Sequence, residues 1–327
     1  MSIFQTKIDT VNEILSYPVV FNANFASVGE GSEHQNQQQT NNVFTEKWSK
    51  YDDNEEQAKE NLYAFQRDWY LKLYGFESEE EFAQFLQDKP VILDAGCGLG
   101  YKAAWFAKLA PNSLVIGMDF SDAAKQAAEI YKDVPNLLFM RGDIASTPFQ
   151  AGSIAYVSCD QVIMHTENPD KTFSELCRIC EPEVGQFACY FYAKKALPRE
   201  LVDDYFRTAC KDLSSEQLWG LSEQLTTLGK TLSELDVKFD CPDIPVLGIK
   251  GGEYDIQRFL YWNFLKCFWN KELGQETSVA TNFDWYSPSN ARRFNIQEVN
   301  VLAKDNHMIM AFIQSEEACH SGRFVRQ

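Results

Sequence analysis

The chain has 327 residues and a net charge of −17, which excludes general affinity for phosphate backbones, because that depends on lysine and arginine displacing counterions. Its apolar fraction of 45% and aromatic fraction of 14% supply a packed core and exclude wholesale disorder. No window approaches the roughly 20 apolar residues of a membrane span, residues 1–10 lack the pattern of a secretory signal, and nine scattered cysteines suit reduced core thiols, so a cytoplasmic protein without membrane or nucleic-acid partners is expected.

Residues 11–27 are too irregular to assign. The Gln/Asn-rich stretch 29–42 has almost nothing to bury and reads as a flexible connection or flap. From 55 to 76 the spacing is helical. Leu62, Phe65, Trp69, Leu73 and Phe76 form the stripe expected in the core, and Tyr63, Tyr70 and Tyr74 line another face. A helix over 78–87 leads to Pro90, a natural stop before a strand.

A regular alternation follows: strand 91–94, helix 100–109, strand 114–119, helix 122–132, strands 137–140 and 154–159, helix 170–180, strand 186–192. Such alternation implies right-handed crossovers and a parallel sheet covered on both faces, with ligands at the carboxyl ends of its strands. Residues 198–282 turn helical and read as an inserted cap, with "DCPDIPVLGIKGGEYD" as a loop. Asn295 and Glu298 then stand at capping-box spacing, and two final strands are close enough to pair antiparallel. The expected organisation is an N-terminal extension with helices over 1–89, a core over 90–197, the cap over 198–282, and the rest of the core sheet over 283–327.

The segment "VILDAGCGLGYKA", residues 91–103, places an acid and three glycines where a buried strand stops. A glycine turn there lets backbone approach a ligand and aims the free N–H groups of the next helix at it. The dinucleotide fingerprint would need glycine at Tyr101, and the phosphate loop would need Lys-Ser or Lys-Thr where Lys102-Ala103 stands, so the spacing argues against NAD and ATP.

An acid followed by G-x-G-x-G resembles the first motif of class I S-adenosylmethionine-dependent methyltransferases. The resemblance implies a Rossmann-like α/β sheet of seven strands, the last antiparallel, with S-adenosylmethionine as cofactor. It implies that Gly96, Cys97, Gly98 and Gly100 pass under the cofactor while Asp94 helps hold its ammonium. Asp119 would accept the ribose hydroxyls beside Phe120, Asp143 and Ile144 would meet the adenine, and Asp160 and Gln161 would stand where the methyl group and acceptor meet. "SCDQVIMHTENPDKTFSELCRICEPEVGQF" is similar to bacterial small-molecule methyltransferases, with Met164 replacing the first His of their His-His pair and Glu183-Val184 interrupting their Pro-Gly-Gly turn. "FDWYSP", residues 283–288, resembles a substrate-side segment of the same group.

The implied reaction is methyl transfer by in-line displacement to a nitrogen, oxygen or carbon of a small molecule; the competing readings are a macromolecular methyltransferase and a silent cofactor-binding subunit. His165 is the candidate base, and Gln161, Asp284 and Tyr286 are candidates to orient the acceptor. Cys177-x-x-Cys180 has no second pair at metal-site spacing, so no metal is expected. The aromatics of 259–269 have the helical spacing of core residues. The sequence sets no oligomeric state.

Overall fold

The computed structural model describes residues 4–29, 35–52 and 56–327. In chain order the elements begin with α1 (Gln5–Ile14), β1 (Phe25–Ser27), α2 (Gln35–Asp52), α3 (Glu56–Tyr74) and α4 (Glu79–Gln87). The core follows with β2 (Val91–Ala95), α5 (Tyr101–Leu109), β3 (Leu114–Asp119), α6 (Ala123–Ile130), β4 (Leu137–Arg141), β5 (Tyr156–Cys159), α7 (Pro169–Ile179) and β6 (Gln186–Ala193). Next come α8 (Leu197–Cys210), α9 (Ser215–Glu234), β7 (Lys238–Cys241), β8 (Gly252–Asp255), α10 (Ile256–Asn263) and α11 (Gly274–Tyr286). The chain ends with β9 (Arg293–Phe294), α12 (Ile296–Asp305), β10 (Met308–Ser315) and β11 (Cys319–Arg326). Two compact units result, Met1–Tyr192 with Arg292–Gln327, and Ala193–Ala291.

The first unit is built on one sheet ordered β1-β4-β3-β2-β5-β6-β11-β10, with β9 paired to β6. The pairs from β1 to β6 are parallel, and β11 runs antiparallel to both neighbours. The expected seven strands are therefore joined by two short ones, β1 and β9. All five residues of β2 are buried, as continuous apolar runs must be when helices cover both faces. Strand order reverses beside β2, so the carboxyl ends of β2 and β5 flank the crevice where such sheets bind ligands. The capping box of α12 forms as its spacing predicts, Glu298 N donating to Asn295 Oδ1 at 2.8 Å and Asn295 N to Glu298 Oε2 at 2.7 Å.

Three expectations are corrected. Residues 35–42, read as flexible, begin α2, while 30–34 lie outside the described residues. Glutamine is a good helix former, Gln37 Nε2 donates to Asn41 Oδ1 one turn on, and Thr40 is buried. The stripe read along α3 is buried only in its second half: Leu73 and Phe76 are in the core and Phe65 is 47% exposed, while Tyr70 and Tyr74 of the other face are fully buried as well; the side chain of Leu62 lies outside the described residues. The phenols reach partners that phenylalanine could not, Tyr70 meeting Tyr156 at 2.6 Å and Ser158 at 3.0 Å. The third concerns "FDWYSP", placed above with the returning core; its first four residues are the last turn of α11, where Phe283, Trp285 and Tyr286 are buried.

The second unit is helical, with one hairpin, β7–β8, inside the stretch read as a loop. Its α8 is inverted in polarity. Arg199, Asp203 and Arg207, four apart, are buried, whereas Leu201 and Tyr205 are 64% and 73% exposed. Asp203 receives both carboxylate-directed bonds of Arg199, the indole N–H of Trp285 at 2.8 Å and the hydroxyl of Tyr286 at 2.9 Å. Arg207 donates to the carbonyls of Trp285 and Pro288. A buried carboxylate so surrounded is compensated; stripped of either side, it would be a liability. Among the described residues no helix is long and apolar enough to cross a membrane.

Candidate active site

At the end of β2 the chain turns through Gly96, Gly98 and Gly100, all at positive φ. At Gly96 (φ +87°) a side chain is excluded twice, by the backbone conformation and by Val162, whose methyl carbons would lie 2.3–2.4 Å from a Cβ. Gly96 N and Cys97 N donate to Met118 O at 2.7 and 3.1 Å, and Gly98 N to Asp119 Oδ2 at 2.9 Å. The loop is thus tied to the end of β3. Asp119 Oδ1 in turn accepts from the backbone and hydroxyl of Ser121, at 2.9 and 2.6 Å. Cys97 belongs to the apolar core beneath the loop, and burial pushes its thiol well above the usual range.

Asp94 is 1% exposed, and neither of its carboxylate oxygens has a hydrogen-bond partner. Burial pushes its carboxyl up to about 7; Lys102 draws it down, Asp160 and Asp119 push it further up. Asp160 is the contrast. It accepts from Lys102 at 2.6 Å, from the Tyr74 hydroxyl at 2.9 Å and from Gln161 Nε2 at 3.2 Å. Burial alone would lower Lys102, but Asp160 and Asp94 outweigh it and hold the ammonium above its ordinary value. Two buried acids therefore share one lysine.

Beyond the loop lies a cleft of about 100 Å³. Its floor comes from strand ends and the turns after them: Gly96, Asp119, Phe120, Asp143, Ile144, Gln161 and His165. The opposite wall is α2, through Gln37, Thr40, Asn41 and Phe44. Asp143 Oδ1 accepts from Ala145 N at 2.8 Å. Gln161 holds a left-handed backbone, φ +64°, uncommon outside glycine and found at functional turns. His165 is 6% exposed, its Nε2 3.4 Å from the Tyr192 hydroxyl and its ring edge-on to Phe44 at 4.9 Å.

Residues 86–235 match a family model described as a methyltransferase domain. That match covers less than half of the chain; with the strand order and the glycine turn it marks residues 86–235 as a methyltransferase domain. The chain carries a class I S-adenosylmethionine-dependent methyltransferase domain. It is 33% identical over 119 residues to an uncharacterized chloroplastic methyltransferase of Arabidopsis thaliana, covering 33% of each chain. It is 31% identical over 107 residues to an uncharacterized methyltransferase of Schizosaccharomyces pombe, covering 30% of this chain and 38% of that one. These matches span only about a third of the length of the relatives. Among solved structures, PKMT2 of Rickettsia typhi in complex with AdoHcy superposes with a TM-score of 0.50 at 15% identity, covering 76% of this chain and 52% of that one.

In the methyltransferase core the structure gathers Gly96, Asp119, Phe120, Asp143, Ile144, Gln161 and His165 around one cleft, with Asp94 and Asp160 buried at the ends of β2 and β5. Asp284 and Tyr286 belong to the helical unit, where Tyr286 is engaged with Asp203 and with the backbone N–H of Lys266. Cys177 and Cys180 are buried thiols, and burial pushes Cys180 up to about 12. Sequence reasoning missed Tyr74, Lys102 and α2. The signal for Tyr74 was its i, i+4 repeat with Tyr70; Lys102 stood in plain view beside the glycines.

Proposed function

We propose that the protein transfers a methyl group from S-adenosylmethionine to a small-molecule acceptor. The carrying observation is the charge balance at the end of β2. Lys102 pairs with Asp160, and Asp94 is left buried with neither oxygen bonded. One cation is wanting there, and the ammonium of an amino-acid ligand meets that need better than any phosphate. Asp119 and Asp143 each retain lone pairs beyond their backbone bonds, suited to ribose hydroxyls and to the adenine amino group. Phe120 and Ile144 offer the apolar walls and Gly96 the close approach of backbone, with Cys97, Gly98 and Gly100 continuing the same turn.

When bound, S-adenosylmethionine supplies a methyl carbon activated by positive sulfur. The chain's part is to align the acceptor, exclude water and take its proton. His165 takes the proton and Gln161 fixes the acceptor by hydrogen bond. The acceptor atom is a nitrogen, oxygen or carbon. A small acceptor accords with the net charge of −17, which disfavours polyanionic macromolecules. Nine buried free thiols accord with the cytoplasm.

The test is methyl-labelled S-adenosylmethionine offered with a metabolite extract, with RNA and with protein. Label in a small molecule is expected. Label in RNA or protein alone overturns the acceptor class; no label in any fraction, with the cofactor bound, leaves a silent subunit.

A further inference from the structure

The helical unit holds a concentration of the opposite charge. Around the indole of Trp285 stand four cations: Lys266 at 4.4 Å from the ring centroid, Arg199 at 5.3 Å, Lys195 at 5.9 Å and Arg207 at 6.0 Å. Of the acids, Asp203 and Asp284 act on Lys266, and Glu200 Oε1 accepts from the Lys195 backbone N–H at 2.8 Å. Arg199 is committed to Asp203 and the Tyr261 carbonyl, Arg207 donates through Nη1 to the Trp285 and Pro288 carbonyls, and Lys195 donates to the Ala193 carbonyl. Lys266 differs. Its residue is 6% exposed, and among the described residues no oxygen accepts from its ammonium.

A cation–π contact alone is too weak to repay the burial of an ammonium. Burial accordingly lowers Lys266 well below its ordinary range; Arg199 and Lys195 push the same way, against Asp284 and Asp203. An anion placed beside Lys266 and Lys195 would reverse that balance, and the aromatic face would remain for the body of its molecule.

We infer that Lys266, with Lys195 beside the same indole, binds one anionic group, a carboxylate or a phosphate, of a small molecule. The inference needs no methyl transfer, so it stands or falls apart from the activity proposed above.

The test is the rate at which fluorodinitrobenzene modifies Lys266 at pH 8, read by peptide mass mapping of the whole chain. Inorganic phosphate and benzoate are the probes, with sodium chloride at matched ionic strength as control. An anion at the site raises the amine's affinity for its proton and slows modification, the free-amine fraction falling about tenfold for each unit of rise above the working pH. Protection by phosphate means that a free anion suffices; protection by benzoate alone means that the anion is read as part of an organic molecule. Lys195→Gln removes one of the charges that lower Lys266, so it should slow the unprotected rate and weaken the protection measured against that new baseline, with the circular dichroism unchanged. No slowing by either probe, equal slowing by chloride, or full protection in Lys195→Gln overturns the proposal.

Discussion

Replacing Asp94 by asparagine separates the demands of ligand binding from those of stability. Holding the buried carboxyl at about 7 rather than 3.8 costs the unliganded fold about 4 kcal/mol above pH 7. The sign follows from proton counts. Between about pH 4 and pH 7 the unfolded chain has released this proton and the folded chain retains it, so this group makes stability fall as pH rises through that window, with the full cost present above it. Asparagine removes the charge but brings unmet amide donors, at about 1–3 kcal/mol. The net expectation is an unliganded protein about 1–3 kcal/mol more stable at pH 8, and no more stable below about pH 4. The same substitution removes the partner of a buried ammonium, costing about 3 kcal/mol, or roughly a hundredfold in affinity for S-adenosylmethionine. Urea denaturation and calorimetry read the two effects separately. A variant less stable at pH 8, or one that binds the cofactor as the parent does, would refute the charge-balance reasoning.

Gly96→Ala must force a Cβ into Val162 at a positive φ, so urea denaturation should show a loss of about 1–3 kcal/mol or more, with cofactor binding abolished in calorimetry. Tyr74→Phe withdraws a donor from the buried Asp160 carboxylate and should cost about 1.5–3 kcal/mol in the same denaturation assay. Asp203→Asn leaves the Arg199 guanidinium buried without its counter-charge, an expected loss of about 3–5 kcal/mol visible as a lowered melting temperature. If His165 takes the acceptor's proton, His165→Ala should lower kcat and flatten the pH–rate profile while leaving cofactor affinity in place.

The core was legible because its signals are local. Buried strands of the β2 type are continuous apolar runs, the helices between them are punctuated by proline and asparagine, and Asn295 and Glu298 form their capping box as spaced. Acids at strand ends are legible for the same reason, and Asp119, Asp143 and Asp160 stand where a strand-end reading puts them. What was not legible depends on long-range contact. Periodicity gave α3 two candidate faces, and apolarity chose only one although Leu73 and Phe76 are buried together with Tyr70 and Tyr74, because the two tyrosines find hydroxyl and carboxylate partners some 86 residues away on β5 and just beyond it. Composition made 35–42 look unstructured, yet its side chains line the cleft from α2. The buried charge stripe of α8 inverts the usual rule, and only the positions of Trp285, Tyr286 and Tyr261 explain it.

The central claim, that the glycine loop and Asp94 form a seat for a cationic adenosyl cofactor, is tested most directly by titrating the protein at pH 7 with S-adenosylmethionine, S-adenosylhomocysteine, NAD and ATP in buffers of different ionisation enthalpy. With its carboxyl at about 7, Asp94 is about half protonated before the ammonium arrives and ionised after it, so binding should release about half a proton. The account predicts one site for each adenosyl sulfur ligand, that proton release, and no comparable binding of NAD or ATP. Tighter binding of either phosphate-bearing nucleotide, or adenosyl binding without proton release, would contradict it.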